Sequence, residues 1–304
     1  MLPLGFVNND TGLPYYPPAS DALVNSPGSH WDYQISKELR DTLRHEIRLH
    51  FNYHEKGIFD KRRIPIYLLL SGAGTGKSRN AAELHNTAYK CFDGSYFEEK
   101  DEKIASQLQD LIFFHVNLEH DGLLYGENDP LRVIGIRMLF QLLRQYDQNL
   151  DIECVISNWY GPTPRELICF LQSGDHPIYQ NRAMFLIVDG LNEICKQCGV
   201  DSMRRTLRSL GNLQDRLGFM IVCCTSVVAG PTDDFAGSER RRIFLPCSPL
   251  QPPTVDDRPV FTVEDIVQKV LASDCGSHGR ALEMMVDVFE DYPANIGPNV
   301  KFMV

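Results

Sequence analysis

The sequence predicts an α/β fold: a parallel β-sheet with helices on both faces, followed by a small helical lid. Three observations predict it. Short continuous apolar runs, the mark of strands buried on both faces, alternate with segments of helical periodicity. The first of these runs, residues 64–70 (IPIYLLL), leads into a glycine-rich turn that opens a helix. After Pro249 the apolar runs cease and two amphipathic segments close the chain.

The elements follow in order. Pro3, Pro14, Pro17, Pro18 and Pro27 predict an irregular start. Trp31, Ile35, Leu39, Leu43, Ile47 and Phe51 recur every four residues and predict an amphipathic helix over 31–54. The basic cluster Lys61-Arg62-Arg63 then leads into the first strand. A helix over 77–88, an acidic polar loop over 93–103 and a second strand over 111–116 come next. Asp129-Pro130 opens a helix with Ile134, Met138, Leu139, Leu142 and Leu143 on one face. A third strand (183–189), a helix (201–217), a fourth strand (219–225) and a short fifth (243–245) complete the alternation. Beyond Pro249-Leu250-Gln251-Pro252-Pro253, helices are expected over 263–272 and 280–290, with no further strand. The expected organisation is an N-terminal irregular segment and helix (1–60), an α/β core (61–248) and an incomplete helical lid (249–304).

Composition narrows the function classes. With 30 Lys+Arg against 40 Asp+Glu the net charge is −10, so no global basic field draws the chain to nucleic acid or anionic lipid. No apolar run approaches the ~20 residues that cross a bilayer, and the start lacks the basic and apolar regions of a secretory signal. Nine Cys scattered through apolar stretches read as reduced thiols. These features predict a soluble, intracellular protein with no membrane partner.

The chemistry is concentrated in Leu70-Ser71-Gly72-Ala73-Gly74-Thr75-Gly76-Lys77-Ser78. A glycine loop between a buried strand and a helix is the context of a phosphate-binding P-loop, in which backbone N–H groups point inward at an anion. Gly72, Ala73, Gly74, Thr75, Gly76, Lys77, Ser78 and Arg79 form the expected nucleotide-binding segment. Lys77 would reach the β- and γ-phosphates, and the Ser78 hydroxyl would ligate Mg²⁺. The pattern GxxxxGK[ST] has Gly where this chain has Ser71, a departure.

A second element agrees. Met184-Phe185-Leu186-Ile187-Val188-Asp189 is an apolar strand ending in an acid, the form of a Walker B segment whose Asp189 holds Mg²⁺. Glu193, four residues on, is the candidate to polarise the attacking water. In the most active ATPases of this kind the acid follows the Mg²⁺ aspartate directly, and here Gly190 stands there. Slow hydrolysis, or nucleotide binding as a switch, is the expectation. Thr225, at the end of the fourth strand, is the candidate sensor of the γ-phosphate. Asn117, ending the second strand, is a candidate to orient Glu193, and Arg280 stands where a lid's sensor arginine would.

Other features read as structural. Arg240-Arg241-Arg242 is expected to be a solvated charge run in preference to an arginine finger. Cys195 and Cys198 have zinc-ligand spacing but no second ligand pair. Glu98-Glu99-Lys100 resembles a nuclease triad only superficially, since it falls in the polar loop.

The segments SGAGTGKSR, LIFFHVNLEHDG and FLIVDGLNE, with the helix beginning at Leu131, resemble the P-loop NTPase module of Crinkler (CRN)-type proteins of oomycetes and some fungi. That module is similar to those of retrotransposon hot spot proteins and the NACHT/STAND class. The resemblance runs over residues 64–282. It implies an additional-strand P-loop NTPase with strand order 5-1-4-3-2, Gly76, Lys77 and Ser78 on the phosphates, and Ser78 and Asp189 on Mg²⁺. Family members commonly carry an N-terminal ubiquitin-like header with a secretion signature and a C-terminal toxin domain. Neither is visible within these 304 residues. Through the family, secretion and action in a host nucleus enter as expectations beside the intracellular reading.

The function expected is therefore an ATPase that binds ATP and Mg²⁺ and hydrolyses slowly or switches. Two alternatives stand beside it: a degenerate P-loop scaffold that binds a protein partner or itself, and part of a nucleic-acid-targeting effector, supported only by Arg204, Arg205, Arg208 and Arg240–Arg242.

Overall fold

The computed structural model describes residues 30–72, 74–93, 99–119, 129–144, 147, 149–158, 161–173, 179–214, 218–227, 239–247, 253–260, 270 and 279–291. In chain order its elements are α1 (Lys37–Glu55), β1 (Ile66–Leu70), α2 (Lys77–Ala82), α3 (Leu84–Lys90), α4 (Glu99–Gln109), β2 (Ile112–Asn117), α5 (Pro130–Leu143), α6 (Ile152–Asn158), α7 (Pro164–Leu171) and β3 (Met184–Asp189). They continue with α8 (Leu191–Cys198), α9 (Val200–Asn212), β4 (Met220–Ser226), β5 (Arg242–Phe244), β6 (Thr254–Val255), β7 (Arg258–Pro259) and α10 (Gly279–Asp291).

Five strands form one parallel sheet in the order β2-β3-β4-β1-β5, which is the expected order read from the opposite edge. β2, β3 and β4 are buried at every position, and this is why each reads as an uninterrupted apolar run. Alternate residues divide between two cores. Ile66, Leu68, Phe114, Leu186, Val188, Val222 and Cys224 face α5, α7, α8 and α9. Tyr67, Leu69, Phe113, Phe185, Ile187, Ile221 and Cys223 face α1, α3 and α4. Helices thus cover both faces, and the N-terminal helix is part of the second core through Leu39, Leu43, Ile47 and Phe51.

Sequence also sets the ends of these helices. Ser36 accepts the N–H of Leu39 to start α1, and Asp129 accepts that of Leu131 ahead of Pro130 to start α5. Thr163 and Glu166 close a reciprocal capping box at α7. Midway along α5, a Cβ on Gly135 would lie 2.0 Å from the carbonyl oxygen of Pro162, so only glycine lets this helix approach the segment that enters α7.

Several expectations are corrected. The single helix over 77–88 is two, α2 and α3, meeting at Glu83. The polar loop over 93–103 is in part α4, whose Ile104 and Leu108 are buried and whose Asp101 is fully buried against Arg44 and Arg48 of α1. A dense charge pattern hid one amphipathic face there. Helices α6, α7 and α8 were not foreseen. The region after Pro249 does contain strands: β6 and β7 pair antiparallel around Asp256 and Asp257, both at positive φ. Asp32 makes that turn possible without glycine, accepting the N–H groups of Asp256 and Asp257 and the hydroxyl of Thr254. The irregular segment expected at the start of the chain and, apart from Val270, the helix over 263–272 lie outside the described residues.

Candidate functional site

Parallel strands carry their C-terminal ends to one edge of the sheet, and the register aligns them there. Leu69 pairs with Thr225, Val188 with Cys224, and Asn117 with Asp189. The glycine loop leaves β1 at this edge, β4 lies between β1 and β3, and about two strand spacings, some 10 Å, separate the loop's origin from Asp189. Helix α2, which follows the loop, packs against both β3 and β4.

Within the loop the side chains tie the backbone together. Gly76 adopts φ 81°, a left-handed conformation that lets the chain turn directly into α2. Lys77 is only 6% exposed, and its ammonium donates to the Gly72 carbonyl at 2.8 Å. Thr75 also donates to that carbonyl at 2.8 Å, so the 2.6 Å contact between its hydroxyl and Ser71 has Ser71 as donor. The departure at Ser71 is thereby absorbed into the loop as a hydrogen bond. Ala73 lies outside the described residues. Gly74 accepts the N–H of Arg280 at 3.4 Å, so α10 touches the loop through its backbone. The Arg280 side chain itself is 70% exposed and lies 4.0 Å from Glu283. Ser78 stands in the first turn of α2, partly exposed. Arg79 donates to the carbonyl of Trp31, and Asn80 accepts the phenol proton of Tyr33 at 2.9 Å.

The second half of the site centres on Asp189, which is fully buried. Its Oδ1 accepts the Thr225 hydroxyl, and that hydroxyl accepts the N–H of Gly190 at 2.9 Å. Its Oδ2 has no hydrogen-bond partner among the described residues, and His115 Nε2 stands 3.9 Å away, beyond hydrogen-bond reach. A buried anionic oxygen without a donor is costly, and a hydrated divalent cation is a natural partner for it. An aspartate oxygen here and the Ser78 hydroxyl in the first turn of α2 are the kind of oxygen donors that would suit Mg²⁺.

Glu193 lies in the first turn of α8, 18% exposed, with Oε1 held by Asn192 Nδ2 at 3.0 Å and Lys196 Nζ at 2.6 Å. Asn117 Oδ1 accepts the N–H of Glu119 at 2.9 Å. Asn117, the candidate to orient Glu193, thus meets Glu119, which sequence reasoning did not single out. The expected solvated run is also corrected. Arg240 is 4% exposed, donating to Asn212 and to the Ile64 carbonyl, and Arg241 pairs with Glu46. Cys195 and Cys198 lie on α8 against the first core. Glu99 and Lys100 belong to α4, while Glu98 lies outside the described residues. Among the described residues no helix is long and apolar enough to cross a membrane.

No family model matches the chain. Crinkler effector protein 108 of Phytophthora sojae is 28% identical to it over 287 residues, covering 86% of this chain and 32% of the relative, so the chain spans about a third of that protein's length. Among solved structures, the Aeropyrum pernix ORC1 protein in complex with DNA aligns with a TM-score of 0.45 and 17% identity, over 85% of this chain and 62% of that one. Drosophila ORC bound to DNA aligns with a TM-score of 0.39 and 14% identity, over 86% and 63%. At such TM-scores neither likeness bears on what this chain does. Over most of its length the chain resembles a Crinkler effector protein, and it is built on a five-stranded parallel sheet with helices on both faces.

Proposed function

We propose that the chain is a P-loop NTPase module that binds MgATP and couples slow hydrolysis to a conformational switch. The observation that carries this reading is the buried Asp189 carboxylate with one oxygen unpartnered, on the same sheet edge as the buried ammonium of Lys77 in its glycine loop. A cation and an anion, each desolvated and held by neighbouring backbone or hydroxyl groups, suit a metal-bound polyphosphate between them. Lys77 would neutralise the β- and γ-phosphates, Ser78 and Asp189 would hold Mg²⁺, and the bound Mg²⁺ would screen charge on the transferred phosphoryl group. Thr225 keeps Asp189 oriented.

The switch reading draws on a second set of contacts. Residues 31–33 bind the loop helix through Arg79 and Asn80, and the β6–β7 turn through Asp32. Trp31 also packs on Leu282 and Met285 of α10, whose first turn touches Gly74. A phosphate that reshapes the loop would be felt along this path. Of the arginines behind the nucleic-acid alternative, Arg240 and Arg241 are committed to internal partners.

The test is the shift in melting temperature with MgATP, MgADP and MgGTP for the wild type and Lys77→Ala. Ligand at 100 times its Kd adds about 2.7 kcal/mol of stability. A shift with MgATP that disappears in Lys77→Ala is expected. Absence of any nucleotide shift in folded wild-type protein would overturn the proposal.

A further inference from the structure

We infer that Glu119, just beyond β2, supplies the water-polarising carboxylate that Gly190 cannot. This deepens the proposed function and rests on it.

Residue 190 directly follows Asp189 and adopts φ 85°. A Cβ built there would stand 2.5 Å from Cγ of Glu119, 3.1 Å from its backbone nitrogen and 3.4 Å from its carboxyl carbon Cδ. A glutamate side chain at position 190 is thus excluded twice, by backbone conformation and by occupied space. What occupies that space is itself a glutamate side chain. Glu119 places its methylene and carboxyl carbons beside the point from which a residue-190 side chain would project.

The placement is built, not incidental. Leu118 N–H donates to the Asp189 carbonyl at 2.9 Å, continuing the β2–β3 ladder past the last paired residues. Asn117 Oδ1 then accepts the Glu119 N–H, turning the chain at the sheet edge. Glu119 is exposed, so its carboxylate is open to solvent water. Glu193 is differently situated, since two donors already occupy its Oε1, one of them Lys196 at 2.6 Å, whose ammonium also feels the charge of Glu119. The Glu119 side chain therefore lies beside the residue that directly follows Asp189.

In the reaction, a water oxygen attacks the γ-phosphorus and its proton passes to the Glu119 carboxylate. The bond between the γ-phosphorus and the β–γ bridging oxygen breaks, and ADP and inorganic phosphate leave. The proton on Glu119 returns to solvent. Lys196 and Glu193 form an ion pair along α8.

The experiment compares wild type, Glu119→Gln and Glu193→Gln in two readouts on the full chain: the MgATP melting shift and the rate of phosphate release. Expected is an unchanged apo melting temperature for Glu119→Gln, a MgATP shift at least as large as wild type, and phosphate release lower by about 100-fold. Glu193→Gln is expected to keep release within about threefold. Wild-type binding with Glu119→Gln turnover also within about threefold would overturn the assignment and leave the nucleotide reading intact. So would a collapse of turnover confined to Glu193→Gln, or a wild type that binds without releasing phosphate. A wild type with no MgATP shift would sink the nucleotide reading, and this inference with it.

Discussion

The Thr225 hydroxyl donates its one proton to Asp189 Oδ1 and accepts the N–H of Gly190, so a β4 side chain holds the β3 terminus in place. Both capacities of the hydroxyl are used inside the protein, which makes Thr225 a positioning residue for Asp189. Thr225→Val keeps the shape and removes the hydroxyl, leaving a buried carboxylate oxygen and a buried N–H unpaired. The expected loss is about 2–4 kcal/mol by chemical denaturation, together with a weakened MgATP melting shift. Thr225→Ser restores the hydroxyl and is expected to recover most of both. A Thr225→Val protein of wild-type stability would refute the arrangement.

How much of this was legible beforehand depends on where the determining contact lies. The strands were readable because positions 112–117, 184–189 and 220–226 are buried on both faces, and such strands are apolar without interruption. The loop and Asp189 were readable because their chemistry is local in sequence. Strand order came only through family resemblance, since no periodicity encodes which strand pairs with which. The place of Thr225 at the end of the fourth strand was readable, but its partner depends on register. Asp101 looked solvated because Arg44 and Arg48 lie more than 50 residues away. No strand was expected around Asp256 and Asp257 because the acceptor that stabilises their turn, Asp32, is 225 residues from Asp257. Glu119 was invisible for the same reason: its relation to Gly190 exists only once β2 and β3 are paired.

Asp101 offers a separate test. Burial alone would raise its carboxyl above the ordinary range, but hydrogen bonds and charge from Arg48 and Arg44 outweigh it and hold the group below 3.8. A carboxylate whose folded pKa is depressed stabilises the fold above its unfolded value and loses that contribution as pH falls through the folded value. The loss therefore falls below about pH 4. Asp101→Asn is expected to cost about 2 kcal/mol at pH 7, less than a fully buried pair because both arginines are about one-third exposed. It should also flatten the stability profile below pH 4. Equal pH profiles for wild type and Asp101→Asn would refute the pairing.

Two histidines act in a different window. Burial pushes His50 down to about 3, between the Tyr67 and Phe219 rings, with smaller contributions from His54, Arg241 and Arg240. Burial likewise pushes His85 down to about 4, its ring stacked 4.0 Å from Phe113 and its Nδ1 on the Ala82 carbonyl. Both are neutral in the fold at pH 5, whereas in the unfolded chain they protonate near 6.5. The unfolded state then binds more protons, so stability falls as pH drops from about 6.5 toward 4. At about 1.4 kcal/mol per pH unit per group, each removes about 2 kcal/mol by pH 5. Denaturation midpoints measured from pH 7.5 to 5 should show this decline, and His50→Leu should remove roughly half of it. A flat wild-type profile over that range would contradict the buried neutral state.

The last prediction concerns the edge of the sheet that carries Asn117 and Glu119. Among the described residues β2 is an edge strand, with β3 on one side and no strand on the other. Its His115 would leave a buried N–H and C=O without ladder partners, and Gln141 of α5 fills that role. The Gln141 amide oxygen accepts the His115 N–H at 3.2 Å, and its amide nitrogen donates to the His115 carbonyl. One side chain thus imitates a neighbouring strand, which also blocks edge-to-edge pairing with another chain. Gln141→Met keeps the volume and removes both bonds, exposing two buried polar groups to an apolar side chain. The expected cost is about 2–4 kcal/mol, and faster amide exchange at His115 than in wild type would locate it. Because β2 ends two residues on at Asn117, which turns the chain for Glu119, the same substitution should lower phosphate release while leaving the Lys77-dependent MgATP shift in place. Unchanged exchange at His115 would show that Gln141 does not secure the strand.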